Sequence, residues 1–211
     1  MSIPTSASVR SKSVPRSRNE QQEFDAIAWP GWAKEGMAIW IDDRDPSSAN
    51  PITLEYKKGT ILAVHPETKI VDVLYTGPKG DPSVRCDLVH ERNEEPIIIE
   101  DVVDIEPLND AEILRNLELR YQANLIYTNI GNTLLVCNPF TREVDSVSKT
   151  KEQWDICEAW AREGSTEKRL MPHIWANTAT ALRQLKKKDK NQSICISGES
   201  GAGKTEAARN C

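Results

Sequence analysis

No stretch of the chain approaches the roughly 18 consecutive apolar residues that a membrane-spanning helix needs. The amino terminus carries Arg10, Lys12, Arg16 and Arg18 among serines, but no apolar run follows them, so it does not read as a secretory signal. Ser2 stands where myristoylation requires glycine. The expectation is a cytoplasmic protein. No paired cysteine pattern is present: Cys86, Cys137, Cys157, Cys195 and Cys211 are odd in number, widely spaced and nowhere in a CxxC pattern. Neither a zinc cluster nor a disulfide framework fits that distribution. The three histidines, His65, His90 and His173, are isolated from one another, and each reads as a surface or capping residue rather than a ligand or base.

Positive charge is outnumbered, with 27 Lys and Arg against 32 Asp and Glu. The chain carries a net charge of −5, and because residues 1–22 hold a net +3, the remainder stands at −8. Nucleic acid is therefore an unsuitable partner. The acids concentrate between Glu94 and Glu118, where Arg115 is the one basic residue, and that run reads as a solvated face.

What is present divides the chain into three parts. Residues 1–28 read as a disordered basic tail, its first 22 residues too rich in Ser, Arg and Pro to bury a core. Residues 29–90 read as a small antiparallel barrel, with short β-branched runs at Met37–Ile41, Ile52–Tyr56, Thr60–Val64 and Ile70–Tyr75. The intervening loops are Asp42–Pro51 and His65–Lys69, and the turn-rich Thr76–Pro82 follows the last run. Trp29, Trp32 and Trp40 are expected to pack in its core and rim.

From residue 91 to 211 the texture changes. Ile97–Ile105 reads as a strand or an irregular docking segment. Asn109 and Glu112 form a capping pair that opens a helix whose face carries Ile113, Leu117 and Tyr121, with Leu114 and Leu125. A hairpin is predicted from Leu125–Thr128 and Thr133–Val136 around Gly131-Asn132. A second helix is predicted over Lys151–Glu163, with Trp154, Cys157 and Ala161 along one stripe and Gly164 as its stop. A third starts at Pro172, with Ile174, Thr178, Leu182 and Leu185 on one face, and ends in the solvated run Lys186–Lys190.

The residues that carry chemistry come last. Ser193–Ser197 is a short apolar run suited to a buried strand, and it leads directly into Gly198, Glu199, Ser200, Gly201, Ala202, Gly203, Lys204 and Thr205. This is GxxxxGK[ST] with helix-forming residues after it. Glycines at 198, 201 and 203 permit positive φ and close backbone approach, so successive N–H groups can cradle phosphate oxygens. Lys204 is expected to reach the β- and γ-phosphates, and the Thr205 hydroxyl to ligate Mg²⁺.

Beyond the general loop, Asn191–Glu206 is nearly the myosin signature NQSILISGESGAGKTE, differing at Cys195. Leu125–Phe140 resembles the myosin hairpin and purine-binding segment, Met171–Ala176 resembles the family's PPHIFA helix start, and Gly36–Ile41 with its following strands resembles the SH3-like barrel before many myosin motors. The resemblance implies a small SH3-like β-barrel followed by the incomplete start of an α/β P-loop NTPase motor domain. It also implies an actin-based, cytoskeleton-associated motor that hydrolyses ATP with Mg²⁺, with light chains as further partners. It assigns Asn138, Pro139 and Phe140 to the adenine base, with Arg142 nearby, and Lys204 to catalysis. The chain departs from the family at Ser146, where the pattern has tyrosine, which implies loose base recognition; Trp154 and Trp160 are alternative platforms for the base. Switch I, switch II and the actin-binding cleft of the family would follow Cys211, so this chain alone is expected to lack catalytic competence. Two other readings stay open: a truncated nucleotide-binding or protein-interaction module, and a P-loop kinase or small NTPase.

Overall fold

The computed structural model describes residues 26–42, 56–75, 83–95, 97–141, 150–163 and 170–211. The basic tail up to residue 25, the run at 52–55, the loop positions 43–50 and 76–82, and Arg142, Ser146 and Gly164 lie outside the described residues.

Five short strands form the first unit: β1 (Ala38–Asp42), β2 (Tyr56–His65), β3 (Ile70–Tyr75), β4 (Ser83–Arg85) and β5 (Val89–Glu91). Their order is β4-β3-β2-β1-β5 and every pairing is antiparallel. A 3-10 turn over Cys86–Leu88 carries the chain from β4 on one edge to β5 on the other, and this arrangement fits an SH3-like start. The last two strands are too short to have announced themselves by alternation.

The interior follows from the two-residue period of a pleated strand. Ile39 and Ile41 on β1, Ile61 on β2, and Val71 and Val73 on β3 point inward with Cys86 and Val89 to make one core, against which Trp29 and Trp32 pack. Gly59 sits opposite Ile39. A Cβ there would lie 2.8 Å from the Ile41 side chain and 3.3 Å from the Leu74 carbonyl oxygen, so glycine is what lets β2 close down on β1. On the outside, the Asp72 carboxylate accepts from Ser83 at 2.7 Å and pairs with His65 at 2.9 Å. These bonds hold it below the usual carboxylate range.

Trp40 occupies the other face of β1. Its indole Nε1 donates to Glu112 Oε1 at 2.7 Å, and Lys58, Arg92 and Arg115 lie 5.6 to 5.8 Å from its ring. Glu112 belongs to α1 (Asp110–Gln122), so this bond ties the barrel to the segment after it. The carboxylate also accepts from the Asn93 backbone N–H at 2.9 Å. Expected on a solvated acidic face, Glu112 is instead buried, because two N–H donors and Arg115 at 3.7 Å compensate its charge.

Asn109 caps α1 as expected, its side-chain oxygen accepting from the Glu112 N–H at 3.0 Å. The face that α1 buries is not the expected one. Ala111, Glu112, Asn116 and Arg120 point inward, while Leu114 and Tyr121 are exposed. The cause is the irregular segment at 97–105, whose backbone groups need partners. Asn116 both accepts from the Ile99 N–H and donates to the Ile99 carbonyl, at 2.9 and 3.0 Å. Arg120 donates to Thr128 Oγ1 at 2.9 Å, the Tyr127 carbonyl at 2.8 Å and the Ile99 carbonyl at 3.2 Å. Burial lowers the Arg120 pKa from its ordinary value, and the nearby charge of Glu100 works against that shift.

Those bonds fix the hairpin of β6 (Tyr127–Ile130) and β7 (Thr133–Val136). Its two-residue turn falls at Gly131-Asn132 as predicted, with positive φ at Gly131. After it come α2 (Lys151–Glu163) and α3 (Ile174–Lys188), which meet through small residues, Cys157 and Ala161 against Ala176 and Ala179. Pro172 is not the first helical residue. His173 takes the N-cap in an extended conformation, its ring nitrogen accepting from the Trp175 N–H at 3.1 Å, and Pro172 precedes it. Leu182 and Leu185, expected on the packed face, are exposed, as is the basic run that ends α3. Among the described residues no helix is long and apolar enough to cross a membrane.

Candidate phosphate-binding site

Gly198–Thr205 forms an exposed turn that enters α4 (Lys204–Arg209). Its three glycines have φ of +154°, +81° and +92°. At Gly203, the N-cap of α4, the left-handed conformation would strain any other residue. Lys204, though exposed, folds back over the loop. Its ammonium donates to the Gly198 carbonyl at 2.8 Å and the Glu199 carbonyl at 2.7 Å, arching over the loop from its own helix. The Ala202 N–H also returns to the Glu199 carbonyl, at 3.2 Å.

The segment leading into the loop corrects one expectation. Residues 190–199 form no strand, and Ser193–Ser197 is exposed except at the half-buried Ile196. An apolar run becomes a strand only where a neighbour offers a ladder, and no described strand pairs with it. The loop is therefore held from the other side. Ala207 of α4 packs against Ile126, Tyr127 and Ile174, with Leu134 and Trp175 beside them. His173 stacks between Tyr127 and Trp175, with ring centroids at 4.5 and 4.6 Å.

The second tie is polar. The Asn138 side-chain amide donates to the Gly201 carbonyl at 2.8 Å, bridging 63 positions of sequence. Its oxygen accepts from the Phe140 N–H at 3.0 Å, and Phe140 stands in a left-handed conformation with the residue 83% exposed. The Pro139 carbonyl meets the Tyr121 hydroxyl at 3.5 Å. Asn138, Pro139 and Phe140 thus lie beside the glycine-rich turn. The Asn138–Gly201 bond had no signal in the sequence, because neither residue's type demands the other. Of the alternative base platforms, Trp160 packs against the core between α2 and α3 under Arg183, while Trp154 is half exposed and stands edge-on to Trp175. Burial raises the Cys137 and Cys157 thiols above their ordinary value, which makes them poor nucleophiles near neutral pH.

Comparison with known proteins gives this geometry its setting. Residues 99–211 match the family model for the myosin head (motor domain). The chain belongs to the myosin head family. It is 34% identical over 178 residues to the myosin-M heavy chain of Dictyostelium discoideum, covering 83% of this chain and 9% of that protein. It is 39% identical over 115 residues to unconventional myosin-Ia of Bos taurus, covering 53% of this chain and 10% of the relative. Unconventional myosin heavy chain 6 of Caenorhabditis elegans is 31% identical over 175 residues, or 83% of this chain and 8% of its own length. This myosin chain therefore spans about a tenth or less of the length of these relatives. The two alignments of 175 and 178 residues are longer than the motor-domain match, so they take in sequence outside residues 99–211 as well.

Proposed function

We propose that this chain is the nucleotide-binding front of an actin-based motor ATPase associated with the cytoskeleton, with residues 29–90 as its barrel and 91–211 as the start of a P-loop NTPase motor domain. The observation that carries the reading is the arch of Lys204 over a turn of left-handed glycines at the mouth of a helix. The ammonium has three protons, and two are on loop carbonyls, which leaves one for a ligand oxygen. A turn of this kind suits an anion, because its glycine-rich backbone can turn N–H groups toward a phosphate beside the Lys204 ammonium; the acids nearest in sequence are Glu199 in the loop and Glu206 in the first turn of α4.

Gly198, Glu199, Ser200, Gly201, Ala202 and Gly203 would hold the phosphates of ATP through their backbone. Lys204 would supply positive charge where negative charge develops on the transferring phosphoryl group. The Thr205 hydroxyl, a hard oxygen donor on the first turn of α4, would be a ligand of Mg²⁺. When bound, Mg²⁺ neutralises phosphate charge. Asn138, Pro139, Phe140 and Arg142 would form the base end, with the exposed Phe140 ring as its apolar surface.

Actin cosedimentation tests the reading. A motor head that carries this segment is expected to pellet with actin filaments without nucleotide and to be released by Mg²⁺-ATP. Failure to bind filaments, or release that ignores ATP, would contradict it. A second reading has one observation in its favour: Ser193–Ser197 is exposed except at Ile196 and no described strand pairs with it, so among the described residues the loop is braced on one side only. On that reading the chain acts as a nucleotide-binding or interaction module without motor activity, and binding of nucleotide without any actin association would support it.

A further inference from the structure

We propose that Asn138 is a positioning residue that couples the base end of the site to the phosphate loop by fixing the peptide plane between Gly201 and Ala202. The proposal rests on the phosphate-loop reading above and assigns Asn138 a role other than contact with the base.

The argument starts from the carboxamide. Asparagine has two ends of opposite sense, a donor N–H₂ and an acceptor oxygen. Both are used here, and each goes to a different part of the site: Nδ2 to the Gly201 carbonyl and Oδ1 from the Phe140 N–H. A trans peptide is planar with its C=O and N–H pointing opposite ways. Holding the Gly201 oxygen therefore also aims the Ala202 N–H, which donates to the Glu199 carbonyl. That same carbonyl accepts the Lys204 ammonium. An unbroken series of bonds thus runs from Phe140 through Asn138, the Gly201-Ala202 peptide and Glu199 to Lys204.

The geometry around it is tight. Asn138 lies 3.8 Å from the position a Cβ would take at Gly203, so the carboxamide packs directly on the loop backbone. Gly201 has φ of +81°, a conformation in which glycine has more than one accessible well, and the Asn138 bond selects among them. The Phe140 backbone, left-handed and non-glycine, is held by the other end of the same group. A base that moved Phe140 would reorient the carboxamide and, with it, the loop peptide and the anchor of Lys204.

Asn138→Asp separates the two ends. The aspartate keeps an oxygen for the Phe140 N–H but faces the Gly201 carbonyl with an acceptor in place of a donor; Asn138→Ala removes both. In the ligand-free 211-residue chain, amide hydrogen exchange is expected to quicken at Ala202 in both variants, and at Phe140 only in Asn138→Ala. Affinity for Mg²⁺-pyrophosphate, a probe without a base, is expected to fall about tenfold in both variants. Unchanged exchange at Ala202 in Asn138→Asp would overturn the coupling. So would weakened ATP binding with pyrophosphate binding intact, because that pattern belongs to a residue that touches only the base. If the unsubstituted chain bound no pyrophosphate, the phosphate-loop reading would fail, and the exchange measurement would still decide the role of Asn138. Far-UV circular dichroism on each variant separates these outcomes from general unfolding.

Discussion

Replacing Lys204 with alanine is expected to lower Mg²⁺-dependent ATP turnover by about a hundredfold to a thousandfold in a myosin motor that carries this segment, the range typical when one preorganised charge or donor is removed from a transition state. Two effects combine. On the proposed role, positive charge is removed from the place where phosphate charge would develop, and the loop loses the bonds that join the Gly198 and Glu199 carbonyls to α4. Lys204→Arg tells them apart. Arginine restores the charge, but its planar fork cannot meet two loop carbonyls and a phosphate as a compact ammonium does. Most of the loss should therefore remain. Steady-state phosphate release measures it, and turnover within tenfold of the unsubstituted motor in Lys204→Ala would remove Lys204 from catalysis.

The largest effect on stability is expected at Arg120. Arg120→Leu keeps much of the apolar volume yet deletes three hydrogen bonds, to Thr128 Oγ1 and to the carbonyls of Tyr127 and Ile99. Thr128 and Arg120 are both buried, so water does not easily replace what is lost. A buried group left without its partner costs about 1 to 3 kcal/mol, and with three acceptors affected the substitution should destabilise by about 3 kcal/mol or more. Relief of the desolvated charge offsets part of this. Urea unfolding followed by near-UV circular dichroism, to which the Trp154-Trp175 pair contributes together with the other aromatic residues, measures it. A change below about 1 kcal/mol would mean that the guanidinium is dispensable. The same variant should loosen the hairpin that delivers Asn138 to the loop, so the stability of α1 and the order of the site are linked.

Which parts of this were legible beforehand follows from what kind of force fixes each. The observed bounds of β3 and α2 coincide with the predicted ones, because Val71 and Val73 alternate on a strand and Cys157 and Ala161 recur on a helix, and local period decides both. The Gly131-Asn132 turn was readable from its own residues, since Gly and Asn tolerate the left-handed conformation that a tight hairpin needs. The buried face of α1 was not. Its leucines suggested one orientation, but the unpaired backbone around Ile99 and the hairpin carbonyls required Asn116 and Arg120 instead, and hydrogen-bond demand from a distant segment leaves no period in the helix. Glu112 was misplaced on the surface because its partner, Trp40, lies 72 residues earlier. The glycine-rich turn that enters α4 was legible residue by residue, since its glycines and lysine form a contiguous motif. The apolar run before it was legible only as a strand in need of neighbours, which the described residues do not supply. The Asn138–Gly201 bond, between positions with no mutual preference, emerges only once the chain is folded.

The central claim is that Gly198–Thr205 is a phosphate site with Lys204 at its head. Titration of the isotope-labelled 211-residue chain with Mg²⁺-ATP, followed by backbone amide NMR, tests it most directly. The account predicts saturable shifts at the amides of residues 198–205, reproduced by Mg²⁺-pyrophosphate and lost in Lys204→Ala. Binding of ATP that leaves those amides unmoved, or binding that survives Lys204→Ala unchanged, would contradict it.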